Sequence, residues 1–520
     1  MLRSKGKLST WLAAVVGVAL LAAPGTSQVL RTEHEESGFQ EYTSYEGLMT
    51  FLQEVQATSE DMLLSSFGES MEGRIQPYAI FSRPLVTQPW EAMASGKPII
   101  LVYANVHGGE KTLRESSLLL VRELATRGTE ANGFLDDLVV LVAPSVNLDG
   151  FERSTRGNAR GVDLNRDYMK LETPETRNLV KNLLHAWHPH ISVDGHNGGS
   201  YPYNITYQAN SHATPDPAIT DLCDFEIFPY VDGKNQAAGY RSFWYSGGSR
   251  QDSTVWTGGG FDPRISRNYA AFNNHVGILF ESPRQDMQTG ALTGVVSFKA
   301  VLQYAIENKE RLFEVVNGAR FETIELGQTA EGMIPVQVEY GLEDWTVDYD
   351  FASGPRDNPT LVPVTGRLLK KSIVLKERPR PYAYLLEPRA INAIEMLKNQ
   401  DVLVEVLQED TEIEIDVYQL EGVEHNAEYD HPAAVTVLLA DETITQTRTF
   451  PKGTYIIRTG QIMGRVAAHL LEPETNDSVV RWNAMDAILP RLGREGQGPA
   501  IMPIFKLMQP TVLPTRMLRQ

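Results

Sequence analysis

Four short strings hold side chains that could act together: His107-Gly-Gly-Glu110, TRGNARGVDLNR from Thr155 to Arg166, Asp194-Gly-His196, and Glu281 in LFES. His107, Glu110 and His196 supply two imidazoles and a carboxylate, a set that holds a catalytic metal and leaves one position open for water. Arginines in the second string could grip an anion through paired N–H groups. Glu281 adds a carboxylate free of the metal set, suited to base chemistry.

The HxxE pattern is weak by itself, because His425–Glu428 and His469–Glu472 match it too. His425 and Glu428, with His431 close by, lie in what reads as a polar loop, so they are expected to be solvated. His185, His188 and His190 cluster in HAWHPH on the approach to a strand and read as packed or exposed imidazoles at a helix end. Cys223 is the only cysteine, so neither a disulfide nor a thiolate zinc site is available within the chain.

The elements around the four strings explain why they would meet. Residues 98–106, 138–143 and 275–280 are apolar runs of the kind found in strands buried on both faces, and residues 191–193 read as a shorter strand. Helical spacing occupies residues 45–55, 111–126, 173–186 and 296–316. Strands alternating with helices imply an α/β fold: a mixed, largely parallel sheet with helices on both faces. His107, Asn147, His196 and Glu281 each follow a predicted strand, and open α/β sheets bind ligands beyond the carboxyl ends of their strands. Residues 342–366, rich in Pro, Gly and Asp, read as a linker or long loop. Beyond it a strand–helix–strand over residues 382–406 and a series of alternating segments indicate a smaller C-terminal α+β domain.

The whole chain of 520 residues is long enough for two or three cores. Its net charge of −19 argues against nucleic acid or an anionic membrane as main partner. Arg3, Lys5 and Lys7, the apolar stretch over residues 11–23 and the small residues 25–27 read as a signal peptide. Three parts are therefore expected: 1–27 as signal peptide, 28–325 as catalytic domain and 326–520 as an accessory domain of unknown role. The protein is expected to be secreted or periplasmic, with no membrane contact beyond the signal peptide.

Taken together, these residues resemble the carboxypeptidase A-like zinc carboxypeptidase family over about residues 45–320. FGESMEGR (residues 67–74) is similar to the GxSxxGR phrase that precedes the metal motif, HGGE to the family HxxE, and NLDGFERSTRGNARGVDLNR to its N-P-D-G…R…G-V-D-x-N-R stretch. The resemblance implies one Zn2+ per chain on His107, Glu110 and His196, with Asp163 orienting the first histidine. It implies Arg156 as the group that polarises the scissile carbonyl, with Arg160 as the fallback, and Asn165 and Arg166 as the grip on the substrate's terminal carboxylate. Glu281 would be the general base, and the partner a peptide with a free C-terminal carboxylate. Leu148 replaces the usual proline, and no tyrosine follows Gly247-Gly248-Ser249 where the family offers a mobile one; Tyr269 and Tyr245 are the substitutes. Arg264 and Arg267 fall in the family's specificity-setting segment, where an arginine would either favour an acidic C-terminal residue or serve a surface salt bridge. Two further readings stay open: a deacylase or amidase acting on a small acylated amino acid or cell-wall peptide, and a binding protein that has kept the scaffold.

Overall fold

The computed structural model describes residues 29–248, 254–355, 359–490 and 500–518. The expected signal peptide lies outside the described residues. The first sheet is built from β1 (Met62–Glu69), β2 (Ile75–Phe81), β3 (Ile99–Ala104), β4 (Val139–Ala143), β5 (Ile191–His196), β6 (Ile205–Gln208) and β7 (Ser242–Trp244), together with the strand Val276–Glu281. Its order is β1-β2-β4-β3-β5-(Val276–Glu281)-β6-β7. The central strands β4, β3, β5 and Val276–Glu281 run parallel, and β1 and β2 add antiparallel pairs at one edge.

β3 shows why the middle of the sheet reads as unbroken apolar sequence. Ile99, Leu101 and Tyr103 enter one core cluster, and Ile100 and Val102 enter the other, so both faces are covered. The helices Thr112–Ala125 and Met287–Glu307 cover one face, and Leu179 to Leu184 belong to the cluster on the other. The periodicity over residues 296–316 belongs to two helices, Met287–Glu307 and Lys309–Thr329, broken at Asn308 (φ −122°, ψ 32°). Apolar spacing continues across the break, so period alone does not reveal it; Asn308 itself is a poor interior helix residue.

The stretch expected to be a linker is largely sheet. Val347–Ser353 pairs antiparallel with the strand Thr360–Pro379, and Tyr349 is buried against Trp256, Phe243 and Tyr203. The alternation of Val347, Tyr349 and Phe351 carried the strand signal beneath the Pro and Gly content. The expected boundary at 325 falls inside the helix Lys309–Thr329. Beyond it a seven-stranded sheet with the helices Ile391–Asn399 and Gly464–Leu471 forms the C-terminal α+β part. One apolar cluster runs from Tyr103 and Trp187 through Tyr168 to Tyr384 and Tyr418, so the two sheets share a core. His425 and Glu428 lie at the end of an 18-residue strand, Thr411–Glu428, rather than in a loop. Among the described residues no helix is long and apolar enough to cross a membrane.

Candidate active site

The loop after β3 carries His107 and Glu110. Asn105 Nδ2 donates to the carbonyls of His107, Gly108 and Glu110 at 2.9–3.1 Å, which winds the loop tightly. Gly108 packs against the short helix Leu148–Arg153 so closely that a Cβ there would lie 2.0 Å from the Gly150 carbonyl carbon. That helix is held by the FGESMEGR phrase: Ser70 Oγ, Glu72 N–H and Arg74 Nη1 all donate to the buried Asp149 carboxylate at 2.7–3.0 Å. His196 ends β5, and Glu281 ends the adjacent parallel strand in direct register with it. In-register residues of paired strands share a face, so both side chains leave the sheet at the same rim.

The donor atoms of His107, Glu110 and His196 lie within 4.8 Å of one another. The two Nδ1 atoms are 3.0 Å apart, and Glu110 Oε1 and Oε2 sit 2.9 and 2.8 Å from them. His107 Nε2 meets Asp163 Oδ1 at 3.0 Å and His196 Nε2 meets Asp194 Oδ2 at 2.7 Å. A carboxylate only accepts, so each Nε2 carries the proton and each Nδ1 turns toward its neighbour and Glu110. Tetrahedral zinc with bonds of about 2.0–2.1 Å places its ligand atoms roughly 3.3 Å apart. Spacing and donor chemistry therefore fit zinc.

The local field has the same origin. Burial would raise Glu110, but the charge of His196 and the bonds from both imidazoles hold it below the usual carboxylate range. Burial opposes charge on His196, yet Asp194 and Glu110 push it well above an ordinary imidazole. Asp163 is buried too, and His107 and Arg156 hold it low. Glu281 differs: burial pushes it up to about 8, and its Oε2 has no hydrogen-bond partner among the described residues.

Arg156 Nε donates to Asp163 Oδ2 at 2.9 Å, and its Nη1 lies 3.5 Å from Glu110 Oε1. It thus stands beside the candidate metal group, whereas Arg160 is exposed and, among the described residues, only its backbone N–H is engaged, by Asn158 Oδ1. Asn165 Nδ2 is 3.4 Å from His196 Nε2, while its Oδ1 accepts from Ser266 N–H at 2.8 Å. Arg166, partly exposed, donates from Nη1 to the Asn165 carbonyl.

Tyr269 is a correction. Its hydroxyl donates to Gln400 and meets His185 Nε2, and the ring is fully buried among packing residues. It lies on the short helix Ser266–Phe272, and two residues advance a helix by about 200°, which turns Tyr269 away from the side presented by Arg267. Tyr245 is the tyrosine at the site. A Cβ on Gly198 would lie 2.5 Å from Glu281 Oε2 and 3.3 Å from Tyr245 Cε2. The Glu281 charge and burial push the Tyr245 phenol up to about 12.

Of the two arginines ahead of Glu281, Arg264 is committed to Asp477 at 3.0 Å. Arg267 is buried and donates to the carbonyls of Ala209 and Gly260. No described carboxylate pairs with it, and burial lowers it to about 10. Asp194 is a residue that sequence reasoning passed over, although the Asp-Gly-His string contained it.

A family model of zinc carboxypeptidases matches residues 48–226, a stretch that holds His107, Glu110 and His196 and ends before Glu281. Carboxypeptidase 2 of Trichophyton tonsurans is 26% identical over 439 residues, covering 80% of this chain and 79% of that protein. That span exceeds residues 45–320, so the likeness reaches past the stretch whose motifs are recognisable. The catalytic chain of human carboxypeptidase N is 26% identical over 209 residues, 31% of this chain and 44% of that one. Among solved structures, a metallo-carboxypeptidase from Burkholderia cenocepacia aligns with a TM-score of 0.41 and 19% identity, covering 50% of this chain and 68% of that chain. Residues 48–226 therefore match a zinc carboxypeptidase model, and the likeness over most of the chain supports a metallocarboxypeptidase.

Proposed function

We propose that this protein is an exported zinc exopeptidase, holding one zinc per chain, that removes the C-terminal residue of peptides. One observation carries the reading: Asn165 lies 3.4 Å from the ligand His196, with Arg166 next to it. A carboxylate gripped there has its own peptide bond at the metal group, so cleavage falls one residue from the end.

Zinc held by His107, Glu110 and His196 would acidify a water and polarise the scissile carbonyl. Glu281 Oε2, buried and without a hydrogen-bond partner among the described residues, takes a proton from the attacking water and returns it to the leaving amine. Its raised pKa suits that second transfer. Arg156 presents Nη1 beside the metal group, where it stabilises charge developing on the carbonyl oxygen. Asn165 and Arg166 orient the substrate through its terminal carboxylate. Arg267, a buried cation beside this grip with no counter-ion among the described residues, favours an acidic terminal side chain.

Mass spectrometry of digests tests the reading with N-acetylated peptides ending in Glu or Gln. Loss of single residues from the C-terminus is expected, with Glu released at least tenfold faster. Internal cuts, or removal of the acetyl group alone, would overturn the exopeptidase assignment. Equal rates for Glu and Gln would remove the role given to Arg267. Export rests on the basic, apolar and small-residue pattern of residues 1–27; an intact N-terminus on protein retained inside the cell would refute it.

A further inference from the structure

The strands Thr411–Glu428 and His431–Phe450 form a long hairpin whose turn is Tyr429–Asp430. Asp430 takes a left-handed φ of 59°, which its short polar side chain tolerates. The turn ends at the metal site. Asp430 Oδ2 accepts the backbone N–H of Asp163 at 2.7 Å across 267 residues of sequence. Asp163 is the carboxylate that takes His107 Nε2–H and Arg156 Nε–H. Tyr429 is 57% exposed and adjoins Asp430, whose carboxylate meets the backbone of Asp163, the partner of Arg156.

The turn is also braced. Glu428 forms an ion pair with Arg481, and the His431 ring meets Trp482 edge-on at 5.0 Å. Trp482 in turn carries Arg264 and Lys170 of the catalytic part, each 4.8 Å from its ring. Contacts on both sides of Trp482 hold the hairpin end at a fixed place beside the catalytic residues.

We propose that this turn belongs to the active site, with Asp430 a positioning residue for the Asp163–His107 pair and Tyr429 the wall along which the substrate's upstream residues lie. The Tyr429 role rests on the exopeptidase reading. The Arg156 side chain is 47% exposed. A peptide whose scissile carbonyl faces Arg156 therefore has its preceding residues outside the metal pocket, on the side where Tyr429 stands. An aromatic ring with a polar tip packs against extended peptide of varied sequence. The accessory domain would then set how much peptide the enzyme grips.

The test compares an acylated dipeptide with a hexapeptide of the same C-terminal residue. In Tyr429→Ala the ratio of kcat/KM for hexapeptide over dipeptide should fall at least fivefold, through KM, and Tyr429→Phe should restore it. An unchanged ratio, or an equal fall for both peptides, overturns the wall. Competition with a chromogenic chelator tests Asp430 without turnover. Zinc affinity should fall several-fold in Asp430→Ala and be rescued in Asp430→Asn, which keeps an acceptor oxygen. Zinc held as tightly in Asp430→Ala as in the wild type overturns the positioning role, even if no peptide is cut and the exopeptidase reading itself fails.

Discussion

At the scale of single residues, the candidate metal set was legible because its members are adjacent in sequence to strand ends: His107 and Glu110 share one loop, and His196 closes β5. What sequence could not show is which partner fixes each imidazole. Asp163 was expected from the resemblance, whereas Asp194, two residues before His196 on the same strand, was passed over; alternate residues on a strand share a face. Its bond to His196 Nε2 at 2.7 Å predicts that Asp194→Ala weakens zinc binding by about 10–100-fold, measured by chelator competition; unchanged affinity would contradict it. Glu281 makes the opposite case. Glu281→Gln should keep zinc and fold while kcat falls by about 10²–10⁴-fold, and near-normal turnover would place the base elsewhere. The tyrosine was misassigned because sequence distance to Glu281 does not report helix phase, and the phase of Ser266–Phe272 buries Tyr269.

At the scale of elements, buried strands were the clearest signal, since residues covered on both faces must be apolar throughout. The break at Asn308 and the strand Val347–Ser353 were hidden by continuous periodicity and by turn-forming composition respectively. The FGESMEGR phrase could be recognised but not explained until Asp149 was seen at its centre. With Ser70, Glu72 N–H and Arg74 all directed at that fully buried carboxylate, Asp149→Ala leaves two donors unanswered and Arg74 with Glu72 as its remaining partner. The expected cost is about 2–4 kcal/mol in denaturant unfolding. Asp149→Asn should recover part of it, and a cost under about 0.5 kcal/mol, the range of an ordinary surface substitution, would show the helix does not depend on this carboxylate.

At the scale of the whole molecule, the shared core makes stability a property of both sheets, and it should depend on pH in a definite direction. Burial pushes His190, His212 and His275 down to about 3 and holds His469 well below its ordinary value. The unfolded chain protonates such groups below about pH 6.5. Their contribution is therefore complete above that pH and is lost as pH falls toward the folded values. Asp167, Asp224 and Asp477 act oppositely, because burial raises each to about 6 and the folded chain binds those protons first. Glu281, pushed up to about 8, joins these carboxyls in the zinc-free protein, but the four imidazoles together with His188, lowered to about 4, outnumber them, so stability should fall between pH 7 and 5. Calorimetry showing a higher Tm at pH 5 would contradict this. The central claim, that the site reads a free C-terminus, is tested most directly by kcat/KM for one peptide as its C-terminal acid and as its amide. The acid should be cut at least tenfold better, because the amide offers the partly exposed Arg166 no charge to pair with and loses a charge-assisted hydrogen bond of about 1.5–3 kcal/mol. Arg166→Ala should narrow the gap by harming the acid alone. Equal cleavage of acid and amide by the wild-type enzyme would contradict the account.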